Sequence, residues 1–234
     1  MKVTVFDTEE LYGERGKFRV LAFADEAVQG AMDLNQPSRI VLEYPQAIIH
    51  LMEMNNPDFE DLFIIGHGIG TIAGHFKQKR CRTAELSQEV VELSEKWFGA
   101  ETGHVIIGDG RAVLEQENPS SQDYIVLDAF NERGTPTHLL SLEFFHLAQE
   151  KLTSEGTILL NVTGKPNNDP WLQAVFTTLS QVFPYTRGFV LPSSDQTAAC
   201  NLVLVGSNVP IRWQQRHMAG FEPTQLEQGY IIRD

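Results

Sequence analysis

The sequence contains few cysteines and no long apolar run, and these absences exclude several kinds of protein. Its two cysteines, Cys81 and Cys200, have no metal-ligand spacing, so we expect both to be reduced and structural. The seven histidines include no HxH or HxxxH pair, which argues against a metal site built by the protein. No run approaches the roughly 20 apolar residues that cross a bilayer, and the start of the sequence lacks a signal-peptide core. We therefore expect a soluble, cytoplasmic protein without a metal.

Basic side chains are also scarce. The chain has 31 acidic and 18 basic residues among its 234, which gives a formal net charge of −13. A nucleic-acid-binding surface needs a basic face that displaces counterions from phosphates, so this balance argues against a nucleic-acid partner. Most of the acidic excess is expected on solvated helix faces. It is compatible with a cationic substrate.

The order of apolar segments predicts an α/β protein with a small N-terminal appendage. Residues 1–40 alternate short apolar segments with polar turns, which is typical of an antiparallel hairpin or meander. From residue 62 onward strands and helices alternate, the pattern of a mostly parallel sheet with helices on both faces. We therefore predict a β appendage over residues 1–40 and a Rossmann-like α/β domain over residues 41–234.

Individual elements follow from periodicity and turn residues. The last two strands are expected to pair as a hairpin at one edge of the sheet, and residues 209–234 carry no clear pattern. The predicted helices cover residues 44–52, 70–77, 88–98, 110–117, 136–152 and 171–182. The first predicted strand after the appendage begins at residue 62. The later predicted strands cover residues 82–85, 104–107, 124–128, 157–161, 186–191 and 202–206.

A glycine-rich turn follows the first strand of the predicted α/β domain. Residues 62–70 read Leu-Phe-Ile-Ile-Gly-His-Gly-Ile-Gly, so the turn carries Gly66, Gly68 and Gly70. Glycines allow the backbone to turn tightly and to approach a ligand closely. Glu85 ends the next strand 19 positions after Gly66, at the spacing where a carboxylate accepts hydrogen bonds from ribose hydroxyls. The pattern predicts a nucleoside pocket.

Two more carboxylates end neighbouring predicted strands. The G-x-G-x-G turn fits enzymes that bind S-adenosyl sulfonium compounds better than the G-x-G-x-x-G turn of dinucleotide enzymes. In such a site Asp109, within Gly108-Asp109-Gly110, accepts a hydrogen bond from the adenine amino group. Asp128 ends the following strand, where it can hold an amine or receive its proton, because a primary amine must lose a proton before it attacks carbon. The alternative is that Asp128 only caps the turn after its strand.

Several segments of the chain match one enzyme family. On these segments, which lie between about residues 29 and 206, the chain resembles the spermidine synthase family of aminopropyltransferases, and especially its shorter spermidine-synthase-like branch. The matching positions are residues 28–30, Tyr44, and residues 65–70, 85–91, 108–111, 124–130, 135–139 and 143–145, with Leu152 and Gly156.

The resemblance implies a fold, a reaction and a set of site residues. It implies the fold of S-adenosylmethionine-dependent methyltransferases, assembly as a homodimer or higher homo-oligomer, and transfer of an aminopropyl group to a small-molecule amine in polyamine biosynthesis. Decarboxylated S-adenosylmethionine or S-adenosylmethionine would be the co-substrate, methylthioadenosine the product of aminopropyl transfer, and no metal would take part. Carried over by position, Asp128 is catalytic, Gly66, Gly68, Gly70, Glu85, Asp109 and Gly110 bind the nucleoside, and Gln29 and Tyr44 bind the substrate.

The chain departs from the family pattern at the amine end of the site. Ile69 stands where the family has an aspartate within the glycine loop, Pro45 replaces a glutamine, and Asn131 replaces the second aspartate of a D-x-x-D loop. Residues 191–195 replace a tyrosine and a proline. Charge-assisted hydrogen bonds are worth roughly 1.5 to 3 kcal/mol each, so these departures weigh against efficient transfer to putrescine. The carboxylates of Glu43, Glu132 and Asp195 are candidates to replace the missing acidic groups.

Two other functions stay open for this sequence. A methyltransferase that uses S-adenosylmethionine is the first, because Ile69 puts no negative charge opposite a methionine carboxylate. A homologue that binds a nucleoside without catalysis is the second. Three histidines are expected outside the chemistry: His67 should face solvent or bond to the backbone, and His138 and His146 have spacing suited to neither a metal nor a base.

Overall fold

The structure consists of two β-sheets and six α-helices among the residues that it describes. None of these helices is long and apolar enough to cross a membrane. A computed structural model of the chain describes residues 3–23, 28–131, 134–165, 168–193 and 199–234.

The first sheet is a three-stranded antiparallel meander. Its strands are β1 (Val3–Leu11), β2 (Glu14–Phe23) and β3 (Val28–Asp33), in that spatial order. The turn between β1 and β2 consists of Tyr12 and Gly13, with φ of 49° and 81°. Two-residue hairpin turns of this kind need positive φ at both central residues, which glycine adopts without strain. The predicted N-terminal meander is confirmed.

Both faces of β2 are covered, which fixes this small sheet to the rest of the chain. Phe18 and Val20 pack on one face with Leu42. Leu21 and Phe23 pack on the other face with Val90. A two- or three-stranded sheet has little stability alone, so these contacts with the larger domain hold β3 in place beside it.

The second sheet has eight strands and forms the centre of the chain. In chain order they are β4 (Asp61–Ile65), β5 (Arg80–Glu85), β6 (Val105–Ile107), β7 (Gln122–Leu127), β8 (Leu152–Gly164), β9 (Tyr185–Val190), β10 (Cys200–Ser207) and β11 (Glu222–Thr224). Their spatial order is β11-β9-β10-β8-β7-β4-β5-β6. Strands β4 to β8 pair in parallel, and β9 to β11 add antiparallel pairs at one side.

Helices cover both faces of the large sheet, as predicted. They are α1 (Glu43–Asn55), α2 (Thr71–His75), α3 (Gln88–Phe98), α4 (Gly110–Glu115), α5 (Leu142–Lys151) and α6 (Pro170–Val182). Helices α1 and α2 pack against Ile64 on one face. Helices α4, α5 and α6 pack in the cluster that contains Ile65 on the other. Because successive strand residues point to opposite faces, the apolar run of β4 is buried throughout.

Two predicted elements are wrong in detail. The helix predicted over residues 136–152 begins only at Leu142, after a separate 3₁₀ turn at Thr137–Leu139. Ser141 caps the helix by accepting a hydrogen bond from the Phe144 amide, and serine favours this position over a helix interior. The predicted β9–β10 hairpin is present, but β11 from the unpatterned tail forms the edge of the sheet by pairing with β9.

Candidate active site

A cavity of about 610 Å³ lies at the carboxyl ends of the central parallel strands. This is the edge where open α/β sheets bind ligands. The structure brings eight of the nine predicted site residues to its wall. The ninth, Gly70, borders a separate concavity of about 750 Å³ between β3, α2 and the loop after α3. The eight residues that line the cavity are Gln29, Tyr44, Gly66, Gly68, Glu85, Asp109, Gly110 and Asp128.

The glycine turn runs close to the end of β7, and Gly66 makes this approach possible. Its φ is +100°, and a Cβ atom added there would lie 2.0 Å from the carbonyl oxygen of Asp128. The Gly66 amide donates to the carbonyl of Ala84, and the Asp128 amide donates to the carbonyl of Ile65, each at 2.8 Å. The turn is therefore tied to both neighbouring strand ends.

Glu85 connects the end of β5 to the glycine turn. Its Oε2 accepts a hydrogen bond from the His67 amide at 2.8 Å, and its Oε1 accepts one from the Ser87 amide at 2.9 Å. Each carboxylate oxygen can accept a second hydrogen bond. Glu85 is thus held rigidly at the cavity wall with acceptor capacity for two ligand hydroxyls.

Asp109 lies at the opposite end of this wall and carries a histidine partner. Its Oδ1 accepts from the amides of Arg111 and Ala112 at 3.1 Å each, which caps α4, and its Oδ2 lies 2.8 Å from His138 Nε2. Burial raises the pKa of Asp109, but the hydrogen bonds from Ala112 and His138 outweigh it and hold that pKa below its usual value. His138 also lines the cavity, a position that its spacing in the sequence did not indicate.

The loop that carries His138 is anchored by Asp234. The Asp234 carboxylate accepts from Arg111 Nη1 and Nη2 at 2.7 and 2.8 Å and from Ser141 Oγ at 2.6 Å. Arg111 Nη1 also donates to the His138 carbonyl at 3.4 Å. The paired guanidinium and the Ser141 hydroxyl lower the pKa of Asp234 to about 2. A residue of the unpatterned tail therefore fixes one wall of the cavity.

Asp128 is held from two sides at the other end of the cavity. Tyr44 Oη donates to Oδ2 and Asn161 Nδ2 donates to Oδ1, both at 2.9 Å. Burial raises the pKa of Asp128 to about 6, because these two hydrogen bonds only partly offset it and the negative Glu85 adds to it. The carboxylate therefore accepts hydrogen bonds from both Tyr44 and Asn161. A carboxylate with such a pKa can accept a proton near neutral pH.

Sequence reasoning did not find Asn161, Thr163 and Asn201, which also line the cavity. Asn161 lies on β8 next to the end of β7, where Leu160 pairs in register with Leu127. It is almost fully buried, with 1% of its surface exposed. The sequence does contain a signal for Asn161, because it is a polar residue within an apolar strand. A buried polar side chain needs a hydrogen-bond partner, so such a residue indicates a polar neighbour.

Two positions that depart from the family pattern, Pro45 and Ile69, line a small pocket that Asp128 also borders. Ile69 packs in the apolar cluster between the first sheet and α3, against Gly30. Asn131 lines the cavity, whereas Pro45 is buried in α1. Glu43 is not among the described residues that line the cavity. Glu132, and residues 194–195 of the loop that replaces the family's tyrosine and proline, lie outside the described residues.

His67 is buried rather than solvent-facing, which corrects that part of its prediction. Its exposed fraction is 7%, and its Nε2 lies 2.8 Å from Ser94 Oγ. Burial, with a smaller effect of His104, lowers the pKa of His67 to about 4. The ring is therefore neutral at physiological pH, and its contact with Ser94 links the glycine turn to α3. Within the described ranges, no three His, Cys, Asp or Glu side chains are grouped as metal ligands.

Comparison with known proteins gives this cavity a family context. The model of the spermine/spermidine synthase domain matches residues 42–194. A polyamine aminopropyltransferase of Desulforudis audaxviator is 24% identical over 197 residues, which are 77% of this chain and 71% of that protein. One from Vibrio vulnificus is 29% identical over 161 residues, 63% of this chain and 54% of that protein. The chain thus spans between about half and about seven tenths of these two relatives.

Solved structures with the same fold include two kinds of enzyme. A probable spermidine synthase from Corynebacterium glutamicum superposes with a TM-score of 0.81 over 98% of this chain and 92% of its own, at 17% identity. Human methyltransferase-like protein 13, solved in complex with SAH, superposes with a TM-score of 0.57 over 81% and 94%, at 19% identity. These identities are low, so the likeness shows the fold, which is the predicted methyltransferase-like one.

Proposed function

The chain belongs to the spermine/spermidine synthase family of transferases, and from that premise we propose that it transfers an aminopropyl group from decarboxylated S-adenosylmethionine to a small amine. The observation that carries the proposal is the position of Asp128. Its carboxylate lies in the same cavity as Glu85 and Asp109 and is held there by Tyr44 and Asn161.

The two ends of the cavity suit two different tasks. Glu85 offers two anchored carboxylate oxygens for the ribose hydroxyls, and Asp109 with His138 offers hydrogen-bonding groups for the adenine edge. The sulfonium arm would lie between these groups and Asp128. The backbone of Gly66 and Gly68 borders that part of the cavity. In this proposal the carbon that is attacked lies near the end of β7.

The reaction is a displacement at the carbon next to the sulfonium sulfur. The amine nitrogen forms the new carbon–nitrogen bond with its lone pair, the carbon–sulfur bond breaks, and methylthioadenosine leaves with the bonding electrons. Before attack the ammonium form of the acceptor must lose a proton, and Asp128 accepts it. Tyr44 and Asn161 orient the carboxylate and stabilise its ionised form.

Among the described residues, the amine end of the cavity carries mostly neutral groups. Beside Asp128 this wall carries the amide groups of Gln29 and Asn131 and the hydroxyl group of Thr163. These groups hydrogen-bond to an acceptor without adding a second negative charge. We therefore propose that, among the described residues, one carboxylate and several neutral groups recognise the acceptor. A panel of amines that differ in the group at their second end would identify this acceptor.

One observation favours methyl transfer as the second candidate. Ile69 puts an apolar side chain, packed against Gly30, where the family has an aspartate. No negative charge at that position opposes the carboxylate of intact S-adenosylmethionine. The fold is shared with methyltransferases and does not decide between the two reactions.

Calorimetry and product analysis separate these functions. We expect decarboxylated S-adenosylmethionine and methylthioadenosine to bind, release of methylthioadenosine with at least one amine, and loss of that release in Asp128→Asn. A clear preference for intact S-adenosylmethionine, with S-adenosylhomocysteine as product, would support the methyltransferase. Binding of methylthioadenosine without turnover of either co-substrate would support a non-catalytic protein. If none of the three compounds binds, both enzyme functions are excluded.

Assembly and location are also proposals. The family resemblance supports a homodimer or higher homo-oligomer, which light scattering coupled to size exclusion would measure. A mass equal to one chain of 26.3 kDa would contradict it. A cytoplasmic location agrees with Cys81 and Cys200, which are both free thiols.

A further inference from the structure

The side chains behind Asp128 form a hydrogen-bonded chain across three neighbouring strands. Asn161 Nδ2 donates to Asp128 Oδ1 at 2.9 Å, and Asn201 Nδ2 donates to Asn161 Oδ1 at 3.0 Å. In the antiparallel pair of β8 and β10, Asn161 lies opposite Val203 and Asn201 lies opposite Thr163. The two asparagines are therefore diagonal neighbours on one face of the sheet.

The orientation of the Asn161 amide is linked to the charge of Asp128. An amide presents a donor at one end and an acceptor at the other. If the buried Asn161 amide were reversed, its Oδ1 would face Asp128 Oδ1, and two acceptors would meet without a proton between them. That arrangement is favourable only when Asp128 is protonated, because a hydrogen bond to the neutral form of an acid disfavours its charged form.

We propose that Asn201 is a positioning residue for the transfer reaction, which acts through Asn161. By donating to Asn161 Oδ1 it holds the amide with Nδ2 toward Asp128, and so keeps Asp128 in the form that accepts a proton. The proposal rests on the proposed function of Asp128 as the base. Asn201, near the start of β10, would then contribute to proton transfer as well as to the cavity wall.

A titration of Asp128 tests the orientation without any need for activity. We would follow the aspartate carboxyl carbons by NMR as pH changes, with Asp128→Asn to identify the signal. Asn161→Ala removes a hydrogen-bond donor to the ionised carboxylate, so the pKa of Asp128 should rise by about one unit. Asn201→Leu should raise it by a smaller but measurable amount. In the double variant, Asn201→Leu should add nothing, because no amide is left to orient.

The pKa of Asp128 in these two single variants and their double variant also shows which result overturns the proposal. If Asn201→Leu leaves the pKa of Asp128 unchanged, Asn201 does not position the amide. If it raises that pKa equally with and without Asn161, Asn201 acts directly on Asp128 rather than through Asn161. Either outcome contradicts the inference.

A charged variant and its matched control extend the test. In Asn201→Asp the new carboxylate accepts from Asn161 Nδ2 and turns the amide around, so the pKa of Asp128 should rise more than in Asn201→Leu. Asn208→Asp makes the same change of charge just beyond the far end of β10, where Asn208 donates to the Thr153 carbonyl. It should leave the Asp128 titration unchanged, and an equal rise in both variants would argue for a general charge effect.

Kinetics then distinguish this inference from the proposed function. With methylthioadenosine release as readout, Asn201→Leu should move the acidic limb of the pH–rate profile to higher pH, so its loss of rate should be largest at low pH and shrink as pH rises. A loss of rate at every pH would indicate a substrate contact instead. If the unmodified protein releases no methylthioadenosine while the NMR cycle behaves as described, the aminopropyl proposal fails and the coupling of Asn201 to Asp128 stands.

Discussion

The phenol of Tyr44 donates a hydrogen bond of 2.9 Å to Asp128 Oδ2, although the two residues are 84 positions apart in the chain. Burial, reinforced by the negative charge of Asp128, raises the pKa of Tyr44 well above its usual value. Tyr44 is therefore always a donor in this pair. The first turn of α1 thus supplies a permanent hydrogen bond to the carboxylate that the proposed reaction needs in its ionised form.

The raised pKa of Asp128 predicts the pH dependence of activity. In the proposed reaction the carboxylate is the base, its pKa is raised to about 6, and the base form is lost as pH falls through that value. We expect kcat/KM for methylthioadenosine release to fall about tenfold per pH unit below about pH 6. Rates measured from pH 5 to 9 with a fixed amine test this. A profile that stays flat down to pH 5 would show that Asp128 does not act as the base.

Tyr44→Phe should move that acidic limb to higher pH. The variant keeps the aromatic ring but removes a donor to the ionised carboxylate, worth about 1.5 to 3 kcal/mol, so the pKa of Asp128 should rise by about one to two units. The pH–rate profile of the variant measures the change. Tyr230→Phe is the matched control, because Tyr230 is 59% exposed and lies outside the cavity wall. An unmoved limb in Tyr44→Phe would mean that the hydrogen bond does not tune Asp128.

The nucleoside end of the site was more accessible to sequence reasoning than the amine end. Glycine turns and carboxylates at strand ends are local signals, and Gly66, Glu85 and Asp128 all follow apolar runs of strand length. Asn161 and Asn201 are single polar residues within strands, and only the pairing of β8 with β10 shows that they meet. That pairing joins residues far apart in the chain, which no local pattern encodes.

The wall formed by residues 137–141 was missed for a different reason. Pro136 and the apolar residues after it have helical spacing, which predicted one long helix over residues 136–152. The serine cap at Ser141 and the salt bridge between Arg111 and Asp234 interrupt that helix and hold a 3₁₀ turn instead. Asp234 follows 25 residues without clear periodicity, so its partner 123 positions away could not be read from the sequence.

Glu85→Gln should weaken nucleoside binding while the fold is kept. The variant loses the charge of a group that accepts from the His67 and Ser87 amides and faces the cavity. Hydrogen bonds to a charged group are worth about 1.5 to 3 kcal/mol, so the Kd for methylthioadenosine should rise about 10- to 100-fold. Glu89→Gln makes the same change on the exposed face of α3 and should leave the Kd unchanged in calorimetry. Equal affinities for both variants would remove Glu85 from the site.

Gly66→Ala should destabilise the protein and disturb the site together. The positive φ and the 2.0 Å approach of an added Cβ to the Asp128 carbonyl force the turn away from β7, at a cost of about 2 kcal/mol or more. For a chain of this length that lowers Tm by about 4 to 8 °C. Gly74→Ala is the control, because nothing lies within 4 Å of its added Cβ and alanine favours the helix. A Gly66→Ala protein with unchanged Tm would contradict the described path of the turn.

Asp234→Asn should loosen the wall that faces the adenine end without touching the proposed ligand contacts. The paired Arg111 guanidinium lowers the pKa of Asp234 to about 2, so its negative charge is present at every pH above that value and is lost only as pH falls through it. At neutral pH the asparagine removes the ion pair and leaves one side-chain oxygen to accept from both Arg111 and the Ser141 hydroxyl. His138 then loses part of its tether, and amide hydrogen exchange at Leu142, which donates to the Ile232 carbonyl, should speed up.

The affinity of that variant for methylthioadenosine should fall by only a few-fold, less than for Glu85→Gln, because Asp234 acts through the loop and not on the ligand. Asp58→Asn, an exposed aspartate before β4, is the matched control and should change neither exchange nor affinity. Faster exchange with unchanged affinity would show that the His138 loop does not contribute to nucleoside binding. Unchanged exchange would show that Leu142 and its neighbours are held without Asp234, and the anchoring described for this wall would then be wrong.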